Sequence, residues 1–119
     1  MAPTDPPTLS ALLRRRDLDL RLVSAAADLP DGALDRPLRW VHSSDLADPT
    51  PFLAEDLVLL TTGAQFDDAD AIPPYVVRLA ERGVLGLGFG TDVHRSGTPE
   101  ELIAACADQG IPLFEVPYR

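Results

Sequence analysis

The segment Arg39 to Gly63 reads RWVHSSDLADPTPFLAEDLVLLTTG, and the fold prediction begins there. It contains two short apolar runs, each ending in hydroxyl and acidic side chains, with a proline-containing loop between them. Apolar runs that stop at Ser, Thr, Asp or Gly are typical of strands whose carboxyl ends open into polar loops. In α/β folds, ligands bind at those ends. The segment therefore predicts two strands with a binding site beyond them.

The remaining chain alternates predicted strands with predicted helices. Strands are expected at residues 18–24, 39–43, 57–61, 84–89 and 111–116. Apolar spacing predicts a short helix capped by Thr8 and a helix across residues 72–82. A third helix is expected from a capping box at Thr98, Pro99 and Glu101 to the stop at Gly110. This alternation indicates an α/β fold, a single small domain with a mostly parallel sheet flanked by helices.

Two details refine this prediction. Residues 57–60 are four apolar residues in a row, which indicates a strand buried on both faces. Gly86, Gly88 and Gly90 alternate with apolar residues inside a predicted strand. They lack the turn into a helix that a dinucleotide-binding fingerprint requires, so we interpret them as places where a ligand or another backbone approaches the sheet.

Composition and charge exclude several classes of function. The 119 residues carry 19 acidic and 10 basic side chains, a net charge of -9, and every basic residue is Arg. Such a surface repels phosphate backbones and anionic lipids, so we expect no direct binding to DNA or membranes. Cys106 is the only cysteine, which excludes an internal disulfide and a multi-cysteine zinc site. No apolar run approaches the ~20 residues of a membrane span. We expect a cytoplasmic protein.

We divide the sequence into a short N-terminal segment and one domain. Residues 1–7 contain three prolines and little to bury, and we expect a flexible leader there. Residues 8–119 form the predicted domain. The chain ends soon after a predicted strand, so we expect the natural polypeptide to continue.

Five sequence blocks together resemble one known family. They are RWVH with SDL at residues 39–46, DPTP at 48–51, LVLLTTG at 57–63, GVLGLG at 83–88 and PLFEVP at 112–117. In order and spacing they resemble the N-terminal domain of PucR-type transcription regulators, the purine catabolism regulator family. The resemblance implies an effector-sensing, non-catalytic module of a bacterial regulator that acts as a homodimer and binds DNA only through a C-terminal helix-turn-helix domain absent from this chain. The fold is also similar to the N-terminal domain of Mur ligases.

The expected ligand is a small polar metabolite related to purine catabolism or to amino acids. The candidate ligand-binding residues are His42, Ser44, Asp45, Asp48, Thr61, Thr62, Gly63, Gly88 and Gly90. Their hydroxyls, carboxylates, imidazole and backbone N–H groups suit a polar ligand at the ends of the strands. We expect no cofactor, no metal and no catalytic residue.

Alternative interpretations of the same residues remain open. His42 and Ser44 point to the same side of a strand, and with Asp45 they resemble the residue types of a hydrolase triad. His42, Asp45, Asp48 and His94 are residue types that bind divalent ions. A third alternative is a non-catalytic dimerisation or domain-interaction module without a small-molecule ligand, which pairs through an apolar surface near the last strand.

Overall fold

The domain is built on one five-stranded sheet with helices on both faces. The computed structural model describes residues 8–46, 48–49, 51, 53–63, 66, 68–90 and 98–117. In chain order the elements are α1 (Leu9–Leu13), β1 (Arg21–Leu22), β2 (Trp40–Ser43), β3 (Leu57–Thr61), α2 (Ile72–Glu81), β4 (Gly86–Gly90), α3 (Glu100–Gln109) and β5 (Leu113–Val116). The predicted leader and His94 lie outside the described residues. The small α/β domain with a mostly parallel sheet is as predicted.

The sheet has the strand order β1-β5-β4-β3-β2. Strands β2 to β5 are parallel neighbours, and β1 pairs antiparallel with β5 at the far edge. Because each parallel strand lies beside the next one in the sequence, all four carboxyl ends meet along one edge of the sheet. Strand β2 forms the other lateral edge of the sheet.

Alternation along the strands divides the core into two layers. Leu57 and Leu59 of β3 pack with α2 and α3 on one face, as do Leu87 and Phe89 of β4. Val58 belongs to the opposite layer, which contains Leu9 of α1. Leu57, Val58 and Leu59 are all buried, which confirms that the apolar run is covered on both faces.

The predicted strand at residues 18–24 is too long, because β1 contains only Arg21 and Leu22. The N–H groups of Val23 and Ser24 both donate to the carbonyl of Leu113, and the N–H of Leu113 donates to the Ser24 hydroxyl at 2.7 Å. These bonds end the regular ladder after two residues. A serine side chain that replaces a backbone partner has no signature in an alternating sequence pattern.

The predicted capping box at α3 is also wrong. The Thr98 hydroxyl donates to the carboxylate of Glu115 at 2.7 Å, and no side chain caps the helix. The carbonyl of Pro99 accepts the N–H groups of Leu102 and Ile103 instead. The predicted stop at Gly110 is correct, since this residue has φ 67°, a left-handed conformation that glycine adopts easily. At α1 the Thr8 cap is confirmed by a hydrogen bond from the Ala11 N–H.

The first prediction compares Gly88 and Gly90 of β4, which differ in the space available for a side chain. A Cβ at Gly88 would lie 2.6 Å from Leu60 Cδ2 and 2.8 Å from the Phe114 ring. Gly88→Ala should therefore lower the free energy of unfolding by about 1–3 kcal/mol. At Gly90 the nearest atoms would be 3.6 Å away, so Gly90→Ala should change it by less than about 1 kcal/mol. Urea denaturation followed by circular dichroism measures both, and equal values would contradict the packing described for Leu60.

The second prediction concerns the single cysteine, which lies buried in α3. Burial raises the pKa of Cys106 from 9.0 to about 12, so the thiolate that reacts with thiol reagents is scarce in the folded protein. We expect no reaction with a chromogenic disulfide reagent at pH 8 in buffer, and full reaction in urea. The Cys106→Ser variant is the control and should not react in either condition. Rapid labelling of the folded protein would contradict the burial.

Candidate functional site

A cleft of about 390 Å³ lies where the parallel strands end. Its lining residues come from the ends of β2, β3, β4 and β5 and are Ser43, Ser44, Asp45, Leu60, Thr61, Thr62, Gly88, Gly90, Val116 and Pro117. Leu60 and Val116 pack on the layer that contains α1, so the cleft opens on that face of the sheet. Helix α1 covers the beginning of β4, where a Cβ at Gly86 would lie 2.9 Å from Leu9 Cδ2. The cleft begins further along the same strand.

The Asp45 carboxylate joins the ends of β2 and β3 at the rim of this cleft. Its Oδ1 atom accepts hydrogen bonds from the Thr61 hydroxyl at 2.9 Å and the Thr62 N–H at 2.8 Å. Its Oδ2 atom accepts a hydrogen bond from the Thr62 hydroxyl at 2.8 Å. Charge-assisted bonds of this kind are stronger than neutral ones, so the carboxylate holds the loop after β2 against the end of β3.

The neighbouring hydroxyls are also held by short-range bonds. Ser44 donates its N–H to the Leu60 carbonyl at 2.9 Å, and its hydroxyl accepts the N–H of Leu46 at 3.2 Å. The Thr61 hydroxyl accepts the N–H of Gly63 at 3.3 Å. These bonds hold the hydroxyl groups of Ser44 and Thr61 in fixed orientations beside the cleft.

The structure brings most of the predicted site residues together. Those that line the cleft are Ser44, Asp45, Thr61, Thr62, Gly88 and Gly90. The remaining three lie elsewhere. His42 pairs with Leu59 in the neighbouring strand, and Leu59 packs against α2 and α3. His42 is therefore on the α2 and α3 face of the sheet, away from the cleft. Asp48 lines a separate depression with Arg78 and Arg82.

Gly63 is buried next to the lining residue Thr62 but does not line the cleft itself. It has φ 81°, and a Cβ there would lie 2.7 Å from the Phe89 ring. A side chain at this position would therefore meet both backbone strain and an aromatic ring. We interpret Gly63 as a residue that lets the chain turn closely over β4.

Four lining residues were not among the predicted ones: Ser43, Leu60, Val116 and Pro117. The sequence signal for Val116 and Pro117 was the end of a parallel strand, the same signal that identified Thr61 and Thr62. Ser43 and Leu60 are opposite each other in neighbouring strands and share a face with Gly88. Alternation places Ser43 on the face opposite to that of His42, and the register against β3 identifies the Ser43 face as the one with the cleft.

The residues proposed for catalysis or metal binding do not all meet in the cleft. His42 is on the face away from it, whereas Ser44 and Asp45 line it. Among the residues that the structure describes, no group of three or more His, Cys, Asp or Glu side chains is close enough to hold a metal ion. None of the helices in the described part of the chain has the length and apolar character to cross a bilayer.

Taken together, these observations define a small α/β domain with a cleft at the carboxyl edge of a mostly parallel sheet. The chain belongs to the purine catabolism regulatory protein-like (PucR) family, whose model matches residues 11–119. It is 31% identical over 84 residues to the transcriptional activator PmfR of Paenarthrobacter nicotinovorans. The match covers 70% of this chain and 17% of that relative, so the chain corresponds to a small part of the relative's length. No solved structure matches the chain.

The third prediction tests the bonds made by Asp45. Asp45→Asn removes the charge that three donors share, and we expect the free energy of unfolding to fall by about 1–2 kcal/mol. Asp108→Asn is the matched control, because Asp108 is exposed on α3 and its replacement removes the same charge. The control should change stability by less than about 0.5 kcal/mol. Urea denaturation of both variants measures the difference, and equal stabilities would show that Asp45 does not fasten β2 to β3.

Proposed function

We propose that this domain is the effector-sensing part of a PucR-family transcription regulator and that it binds a small polar metabolite in the cleft. The family and the relative described as a transcriptional activator support a role in transcription. The proposal extends to a bacterial cytoplasmic protein that reaches DNA through a helix-turn-helix domain elsewhere in the parent protein. The net charge of -9 is consistent with that division, since an acidic surface repels DNA.

The observation that carries the proposal is the composition of the cleft. Its lining combines residues that carry hydroxyls, Ser43, Ser44 and Thr62, with apolar residues, Leu60, Val116 and Pro117. Its volume of about 390 Å³ is within the range of small-molecule sites, about 300–1,000 Å³. A compact molecule with one apolar face and hydrogen-bonding groups along its rim fits this pattern. Purines, ureides and small amino-acid derivatives have that chemistry.

Asp45 gives a route by which binding affects the rest of the domain. A ligand that contacts Thr62 or Ser44 touches groups that are bonded to the ends of β2 and β3. Binding that favours one arrangement of these ends shifts the population of the whole regulator toward that arrangement. In this proposal the domain performs no chemistry, and its output is a change in conformation or association.

The fourth prediction tests the cleft as the effector site. A thermal-shift screen with purines, ureides and amino-acid derivatives should identify a compound that raises the melting temperature, because a ligand bound only to the folded state stabilises it. Gly90→Val should abolish the rise, since its Cβ lies beside Thr62 and the added methyl groups fill the cleft. Thr62→Val should weaken it by removing a hydroxyl.

His42→Ala is the matched control for this screen. His42 is on the opposite face of the sheet, so its replacement should leave the ligand response unchanged. A response lost with His42→Ala and kept with Gly90→Val would place the ligand outside the cleft. A screen in which no compound shifts the melting temperature would favour the second function below.

The second candidate function is an interaction module without a small-molecule ligand, and exposed apolar side chains favour it. Trp40 is 62% exposed, Val41 56% and Leu46 50%. These residues lie on and just after β2, away from the last strand where we expected such a surface. Strand β5 is flanked by β4 and β1, so both of its edges are paired. The two functions are compatible if association is the output of sensing.

A further inference from the structure

The backbone N–H groups at the rim of the cleft are already bonded within the protein. In α/β folds, N–H groups beyond the carboxyl ends of the strands are common binding groups for anions. Here the Thr62 N–H donates to the Asp45 carboxylate at 2.8 Å, and the Gly63 N–H donates to the Thr61 hydroxyl at 3.3 Å. The two N–H groups that follow β3 therefore have acceptors before any ligand arrives.

The Asp45 carboxylate occupies the place that an anionic ligand would take at this edge. It accepts hydrogen bonds from the hydroxyls of Thr61 and Thr62 and from the Thr62 N–H, at distances between 2.8 and 2.9 Å. None of the described residues that line the cleft is an Arg or a His. A second anion would be repelled by Asp45 and by the net charge of -9.

The two longer helices offer an anion no better place. Helix N-termini commonly bind anions, and those of α2 and α3 lie at the carboxyl edge because each helix follows a parallel strand. Pro73 and Pro74, in the first turn of α2, have no N–H group to donate. Glu100 and Glu101, in the first turn of α3, already bring negative charge to that N-terminus. The charges and donors at this edge therefore disfavour a negatively charged ligand.

The bonds at the rim also determine what the hydroxyl groups offer a ligand. The Thr62 hydroxyl gives its proton to Asp45, so toward the cleft its oxygen can only accept. The Ser44 hydroxyl accepts the Leu46 N–H and keeps its own proton for another acceptor. The cleft thus combines an acceptor at Thr62 with a donor at Ser44, beside the negative charge of Asp45.

We propose that the ligand of this cleft carries no negative charge and donates N–H groups, as amides, ureides and amidinium groups do. Its N–H group binds the Thr62 oxygen on the side of Asp45, and a carbonyl group, where the ligand has one, accepts the Ser44 proton. Its apolar part contacts Leu60 and Val116. Phosphorylated metabolites and carboxylates are rejected. This inference rests on the proposed function, because it names the chemistry of the ligand in the same cleft.

The fifth prediction tests whether Asp45 stands in for an anion. Asp45→Ala removes the carboxylate from the donors of Thr61 and Thr62. Acetate should raise the melting temperature of this variant, because it binds those donors in the folded state, and should leave wild type unchanged. Sodium chloride at the same ionic strength is the salt control. Asp108→Ala loses an exposed carboxylate on α3 and should show no response to acetate.

Two results of this experiment would overturn the inference. One is a wild-type protein that acetate stabilises as much as it stabilises Asp45→Ala. The other is an Asp45→Ala variant that folds, as judged by circular dichroism, and does not respond to acetate. If the variant does not fold, the backbone amide NMR signals of wild type decide. Inorganic phosphate should shift those of Thr62 and Gly63 no more than chloride does, and a specific shift would overturn the inference.

A matched series of small probes tests the ligand chemistry directly. Benzamide is a neutral N–H donor, benzamidine a cationic one and benzoate an anion of the same shape, whereas N,N-dimethylbenzamide has no N–H group. In NMR titrations, benzamide and benzamidine should shift the amide signals of Thr62 and Gly90. Benzoate should bind at least about tenfold more weakly, because its charge faces Asp45. N,N-dimethylbenzamide should also bind more weakly, since it cannot donate to Thr62.

The two experiments separate this inference from the proposed function. Benzoate that binds in the cleft as tightly as benzamide would overturn the inference and leave a small-molecule site in place. A series in which no probe shifts these signals would count against the proposed function. The acetate experiment needs no bound effector, so its result decides the inference in that case too.

Discussion

Burial of β3 on both faces is the constraint on which the rest of the fold depends. A strand with Leu57, Val58 and Leu59 all buried needs a cover on each side. Helices α2 and α3 cover one face and α1 covers part of the other. Because α1 has only five residues, it leaves the carboxyl end of that second face open. The cleft is the part of the sheet that the short helix does not reach.

Hydrogen bonds at the polar end of β3 fix the side chains at this opening. The backbone bond from Ser44 to Leu60 joins the ends of β2 and β3, and Asp45 adds a side-chain link between them. The carboxylate accepts bonds from Thr61 and Thr62 and makes one surface of them. Its position also explains why β2, an edge strand with exposed side chains, keeps a defined place at the rim.

Residues with strong local signals were predicted well from the sequence. The run at 57–60 located β3 at its observed bounds, and Gly110 marked the end of α3. The parallel order placed Ser44 and Thr62 at one edge, and both line the cleft. Thr98 was assigned to the wrong partner because Glu115 is distant in sequence, and local propensity carries no information about it. The likeness to Mur ligase domains and the binding of a metabolite stay predictions.

Alternation along β2 placed His42 and Ser44 on one side of the strand in the sequence interpretation, but it does not say which side faces the cleft. His42 and Ser43 are adjacent and so belong to opposite faces, yet only a register against β3 shows which face the cleft occupies. That register is a tertiary property, because it pairs residues of two strands that are separated in the sequence. Asp48 begins the proline-containing segment at residues 48–51, and the direction of that segment is not encoded in periodicity.

The two lateral edges of the sheet are unequal, and this asymmetry limits how the molecule can assemble. The β1 edge has two residues before the ladder ends at Ser24, too short to template another chain. Polymers that grow by stacking sheets need a usable edge at both sides. Within the residues that the structure describes, the β1 edge therefore offers no ladder for growth at that side of the sheet.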